Sequence, residues 1–283
     1  MSYADKPRRF LENVTSIRSP LPDSHSYCAG FEVQEWRCHG LSSHLLEWIA
    51  DYALWGDQLN VHHGNMVERL KRAAARIYNT PEYQKRGEVG ELLLHAICRD
   101  FFGTVPVAPR VFYLTSSNDV VKSFDLVHVR PQADSFEIWL GEAKFFKNPV
   151  LAVERAIESV ETHIDAGFLR HEKLILAPQI DATAPYSSEI SDIFSEQTSL
   201  DALFNNAVFP VCVAAESVAT KGAKTIDGAY KALIDAELRK LQSKLAACSL
   251  HGKIKLLFLY VPLANKDQLA KSFDTKLKAI MSC

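Results

Sequence analysis

Two alternating runs around a short polar turn, SFDLVHVR and FEIWLGEAKFF joined through PQAD, constrain this chain more than any other stretch. Such a pattern reads as a β-hairpin. A turn centred between Gln132 and Ser135 sets Asp125 opposite Glu142. Positions two apart on a strand share a face, so one face carries Phe136, Ile138 and Leu140, then Glu142 and Lys144, with Asp125, Val127 and Val129 across from them. Like charges opposed across a pair are destabilising, and burying an unpaired charge is costly. A divalent cation relieves both, because Mg²⁺ binds through one or two carboxylates plus water and substrate phosphates. A lysine beside it can orient or deprotonate the attacking water or stabilise developing negative charge. The chemistry that fits is metal-assisted phosphodiester hydrolysis.

The preceding segment, RGEVGELLLHAICRDFFG, is predicted to be a largely buried helix, apolar on nearly every side. Glu88, Glu91 and His95 follow one stripe of it, at i, i+3 and i+7. At least one glutamate is expected to reach the cluster, with Glu91 as first choice and Glu88 in reserve. An acidic residue two before a lysine also occurs by chance, as in SFDTKL with Asp274 and Lys276 on an expected surface helix. The opposed Asp125 and the acidic helix separate Glu142 and Lys144 from that background.

Other candidates carry less. His62 and His63 in VHHGN read as a polar loop, and His128, on the far face from Asp125, as a structural histidine. GEVGE lacks the lysine and the strand-to-helix setting of a P-loop, so ATP hydrolysis is not expected of this chain. Serine and cysteine nucleophile motifs are missing as well. Lys122, Lys147, Arg155, Arg170 and Lys173 could follow a phosphate backbone, although a net charge of −2 gives no global basic field.

Elsewhere, the first 26 residues read as an extended or irregular arm, followed by a strand over Tyr27–Trp36 and a helix in SSHLLEWIADYAL capped by Ser43. A second helix, GNMVERLKRAAARIYN, should stop before Pro81. RVFYLTS reads as a strand ahead of the hairpin. After the hairpin come a helix over Pro149–Ala166, a loop-rich stretch over 178–200, the strand AVFPVCVAAE, a helix over Asp227–Ala247, the strand KIKLLFLYVPL and a helix from Lys266. The expected fold class is α/β, a mixed sheet flanked by helices on both faces. Its core would occupy 81–283, with an N-terminal α+β extension over 1–80. No run reaches the ~18 apolar residues of a membrane span, and the N-terminus lacks the apolar core of a secretion signal. Six scattered cysteines without Cys-x-x-Cys spacing read as reduced thiols. A cytoplasmic location is the expectation.

Glu91, Asp125, Glu142 and Lys144 together resemble the PD-(D/E)xK nuclease superfamily, with its restriction-endonuclease-like core. A longer likeness runs through LLEWIADYAL, RGEVGELLLHAICRDFFG, SFDLVHVR and IWLGEAKFF, which look like the DUF1837 family of HamA (Hachiman anti-phage defence) and AbpA proteins. The resemblance spans the chain from about residue 30 to the C-terminal helix. It implies a defence effector that cuts DNA with Mg²⁺ or Mn²⁺, works beside a separately encoded superfamily 2 helicase (HamB-like), and uses Asp125, Glu142 and Glu91 as metal ligands with Lys144 assisting. Two rivals are a catalytically weak DNA-binding or regulatory subunit and a stand-alone restriction-type endonuclease. Residues 1–80 and 178–205 are the candidate helicase-docking segments.

Overall fold

The computed structural model describes residues 6–18, 22–78, 87–108, 124–250 and 252–283. A seven-stranded mixed sheet organises it, in the order β1-β2-β9-β8-β7-β6-β5. The strands are β1 Glu12–Ile17, β2 Asp23–Cys28, β5 Val105–Pro106, β6 Leu126–Pro131, β7 Phe136–Phe146, β8 Ala207–Glu216 and β9 Lys255–Leu263. The centre β2-β9-β8-β7 is parallel, and β1, β6 and β5 are antiparallel to their neighbours. A separate small hairpin pairs β3 Phe31–Glu32 with β4 Glu35–Trp36.

Alternation along the strands splits the core in two. On one face Trp139, Ala143 and Phe145 pack beneath α1 Cys38–Glu47, α4 Glu88–Phe102 and α11 Lys266–Ser282, which contribute Leu45, Leu93 and Phe273. On the other, Ile138 and Leu140 pack with Val153 of α5 Pro149–His163 and Leu241 of α10 Gly228–Ala246. The β7–β8 and β8–β9 connections run α5 and α10 over this same face, as expected when successive parallel crossovers keep one hand.

Local chemistry sets the key helix ends. Asn148 accepts from the backbone N–H of Val150 and Leu151, and Pro149 occupies the first turn, so α5 starts directly after β7. Gly103, at φ 66°, ends α4 in the left-handed conformation that favours glycine.

The structure corrects several expectations. The arm before residue 27 contains β1 and β2, and β2 lies parallel to β9 inside the sheet. Its inward positions include Ser24 and Ser26, so the alternation is real but written in small polar residues. The proposed strand over Tyr27–Trp36 stops at Cys28. The small hairpin then turns through Val33 and Gln34, both at positive φ. Ser43 lies inside α1, where its hydroxyl receives the Lys276 ammonium, and does not cap a helix. The helical stretch that follows splits into α1 and α2 Ile49–Ala53, ahead of α3 Met66–Ile77. The stretch over 178–200 holds α7 Ser187–Phe194, after α6 Ala166–Leu176 and before α8 Leu200–Asn206. Asp274 is buried and pairs with Lys278 at 2.8 Å. The RVFYLTS strand, Pro81 and Lys122 lie outside the described residues.

Candidate active site

The hairpin register is the one read from the turn. Leu126 faces Gly141 and Val127 faces Leu140, and the Asp125 N–H continues the ladder by donating to the Gly141 carbonyl at 2.9 Å. Asp125 Oδ2 accepts from the backbone N–H of Ala143 at 2.8 Å, which holds the carboxylate against β7. Glu142, only 3% exposed, accepts on Oε1 from Lys144 Nζ, and Lys144 also donates to Ser159 Oγ at 2.9 Å. His163 Nδ1 lies 3.4 Å from Glu142 Oε2. The helix that covers this cluster is therefore α5.

Burial, reinforced by the negative charge of Asp125, pushes the Glu142 carboxyl up to about 7 against the pull of Lys144 and Ser159. A carboxyl near half-protonation at neutral pH is unlike a solvated strand end. It can take up a cation in exchange for a proton.

Glycine at 141 follows from the packing above it. A Cβ there would sit 2.8 Å from Leu94 Cδ2, so α4 rests directly on the strand residue before Glu142. At Gly90 a Cβ would lie 3.2 Å from Phe145 Cβ and 3.6 Å from the Lys144 carbonyl carbon. The first turn of α4 thus meets the end of β7, but from the face opposite Asp125 and Glu142. Glu91 is buried there and accepts from the Tyr52 hydroxyl at 2.5 Å. Glu88 is buried in the same turn, where a helix N-terminus favours negative charge. The structure brings Asp125, Glu142 and Lys144 together on one face and sets the α4 turn that carries Glu91 against the end of the same strand from the other face. Among the described residues, no group of three His, Cys, Asp or Glu side chains is placed to hold a metal ion.

His95 turns toward a different network. Its Nε2 is 2.8 Å from Asp51 Oδ2, its Nδ1 3.2 Å from His128 Nε2, and His128 Nδ1 is 2.8 Å from Thr104 Oγ1. Arg99 donates to Asp51 at 2.8 Å. Burial would raise Asp51, but the bonds and charges of His95 and Arg99 hold it below the usual carboxylate range. Burial pushes His95 down and His128 well down. His128 is thus a satisfied structural histidine, as its face predicted. His62 and His63 are exposed in the turn before α3. Of the basic candidates, Lys147 pairs with Asp267 and Arg155 with Glu158, Arg170 is exposed, and Lys173 is buried with its ammonium on the Thr198 carbonyl.

Sequence reasoning missed Ser159 and His163. They sit one turn apart on α5, and their i, i+4 spacing directly after the Glu-x-Lys strand was the available signal.

The hairpin carboxylates, the Glu-x-Lys strand and the buried acidic helix all fall within a single family match. A family model described as HamA covers residues 8–277. The chain belongs to the HamA family. Membership suggests a component of Hachiman anti-phage defence. None of the curated proteins compared with the chain matches it. Three further features bear on a HamA-family protein. Among the described residues no helix is long and apolar enough to cross a membrane. All six cysteines are free, and Cys28, Cys38, Cys98 and Cys212 are buried. The site residues Asp125, Glu142 and Lys144, with α4 and α5 on either side of them, all lie inside the matched span.

Proposed function

We propose that this HamA-family chain is a metal-dependent DNA nuclease of the PD-(D/E)xK type, acting in the cytoplasm with a partner superfamily 2 helicase in anti-phage defence. The observation that carries the reading is Asp125 set across β6–β7 from Glu142, with Lys144 on the same face. What supports Mg²⁺ or Mn²⁺ is the donor set. Two carboxylates, one raised by burial and by the charge of the other, suit a hard cation that keeps most of its water and takes the rest of its shell from phosphate. Asp125 and Glu142 would hold the ion, which would polarise the scissile phosphate and lower the pKa of bound water.

This chain's own groups do the remainder. Lys144, which pairs with Glu142 in this structure, would orient the attacking water and offset charge on the phosphate. Glu91, in the first turn of α4 at the end of β7, is assigned to completing the metal shell or positioning water. The helicase supplies the ATPase that this sequence lacks. Residues 1–80 and 178–205 are proposed for docking it, and the division at residue 80 remains part of this proposal, with β1 and β2 bonded into the common sheet.

The test offers linear and circular DNA with Mg²⁺ or Mn²⁺ to the purified chain, with and without the helicase and ATP, alongside Glu142→Ala and Lys144→Ala. Cleavage by the unaltered chain that drops at least ~100-fold in both variants is expected. A chain that binds its helicase yet never cuts is a regulatory subunit. One that cuts defined sequences unaided is a restriction-type enzyme.

A further inference from the structure

We propose that Ser159 and His163 of α5 are positioning residues of this site, Ser159 for the Lys144 ammonium and His163 for the Glu142 carboxylate. The inference rests on the nuclease reading and extends it to a second element.

Both side chains point at the charged half of β7. Ser159 Oγ accepts from Lys144 Nζ at 2.9 Å, and its hydroxyl helps pull the Glu142 carboxyl down against the burial that raises it. It thereby gives Lys144 a second partner besides Glu142. His163 approaches the opposite oxygen, Oε2, at 3.4 Å, within ion-pair reach but longer than a hydrogen bond. Its ring has little freedom. It stacks on Phe168 with centroids 4.8 Å apart and meets the edge of Phe124 at 4.9 Å, and it is only 4% exposed. Phe124 immediately precedes Asp125, so a single histidine touches the support of one carboxylate and faces the other.

The placement is difficult to account for as core filling alone. The same helix face buries Ala152, Val153, Ala156 and Val160, small and apolar residues suited to a sheet. Only at the level of Glu142 and Lys144 does that face turn polar. Preorganised supports of this kind hold reacting groups within the narrow tolerance that catalysis needs.

The two roles separate in different readouts. Ser159 acts through Lys144, so Ser159→Ala should lower kcat about tenfold or more, with KM for DNA and Mn²⁺ affinity by calorimetry unchanged within about twofold. Ser159→Thr, which keeps the hydroxyl, should restore most of the loss. His163 acts through a metal ligand, so His163→Leu should weaken Mn²⁺ binding to the chain alone by about fivefold or more. His163→Asn, which returns a donor near the Nδ1 position, should recover part of it. Rates are read under whichever condition allows the unaltered chain to cut, and circular dichroism and melting confirm that each variant folds. A parent that neither binds Mn²⁺ nor cuts overturns the nuclease reading together with this inference. A parent that does both, while the Ala and Leu variants match it or the Thr and Asn variants rescue nothing, overturns this inference alone.

Discussion

A glutamate buried at 7% exposure with one oxygen on a tyrosine hydroxyl can be either a ligand held in reserve or a strut between helices. Glu91 has both descriptions available, and its placement across the sheet from Asp125 sharpens the choice. If it serves only to tie α4 to α2, then Tyr52→Phe, which removes the donating hydroxyl, should cost about 1–2 kcal/mol in urea denaturation, and Glu91→Gln, whose amide oxygen still accepts from Tyr52, should cost less. If it serves the reaction, Tyr52→Phe should leave cleavage within a few-fold of the parent, and Glu91→Gln should abolish it with the fold intact. The second outcome is expected here. Equal rates for the two variants would remove Glu91 from the site and leave Asp125, Glu142 and Lys144 as its protein groups.

At the level of elements, the strands around the site were the most legible part of the chain. A two-residue period leaves no freedom once the turn is placed, so the register and the shared face of Asp125, Glu142 and Lys144 followed from the letters alone. The helices were legible as helices but not as neighbours. Handedness of the β7–β8 crossover constrains α5, whereas α4 precedes β5, β6 and β7 and no parallel crossover assigns it a face. That is why an acidic helix could be expected over the cluster while α5 occupies the position. Ser159 and His163 went unseen for a related reason, since two polar residues on an amphipathic helix resemble its solvated side until the covering face is known. β2 was hidden because serines fill buried positions that aliphatic residues usually mark. The close contact of α4 with β7 was announced only by glycine. Gly141→Ala would drive a methyl to 2.8 Å from Leu94 and 3.1 Å from Leu126 Cβ, so α4 must shift or the strand must bend. A loss of about 1–3 kcal/mol is expected in urea denaturation. Gly90→Ala, whose nearest contact would be 3.2 Å, should cost less. The reverse order would mean that α4 bears on β7 mainly at the strand end rather than beneath Leu94.

Across the whole molecule, the two faces of the sheet bury ionisable groups with opposite responses to acid. Beneath α4, burial keeps His95 and His128 neutral, and His25 and His44 are lowered chiefly by burial as well. The unfolded chain binds more protons than the folded one below the ordinary histidine value of about 6.5, so the stability these groups contribute is present above it and is lost as the pH falls. Beneath α5, Glu142 is raised from its ordinary 4.5 to about 7. Its contribution is greatest below the ordinary value and disappears as the pH rises through 7, so acidification works in its favour. The histidines outnumber it, and metal-free stability should therefore fall between about pH 7 and pH 5.5, at up to ~1.4 kcal/mol per pH unit for each proton of difference. Glu142→Gln removes this opposing slope, and the same acidification should then destabilise the chain more steeply. Urea midpoints of both proteins in chelating buffer measure this directly. Parallel pH profiles would mean that Glu142 has an ordinary carboxylate pKa in the metal-free fold, and the electrostatic case for a cation beside Asp125 would go with it.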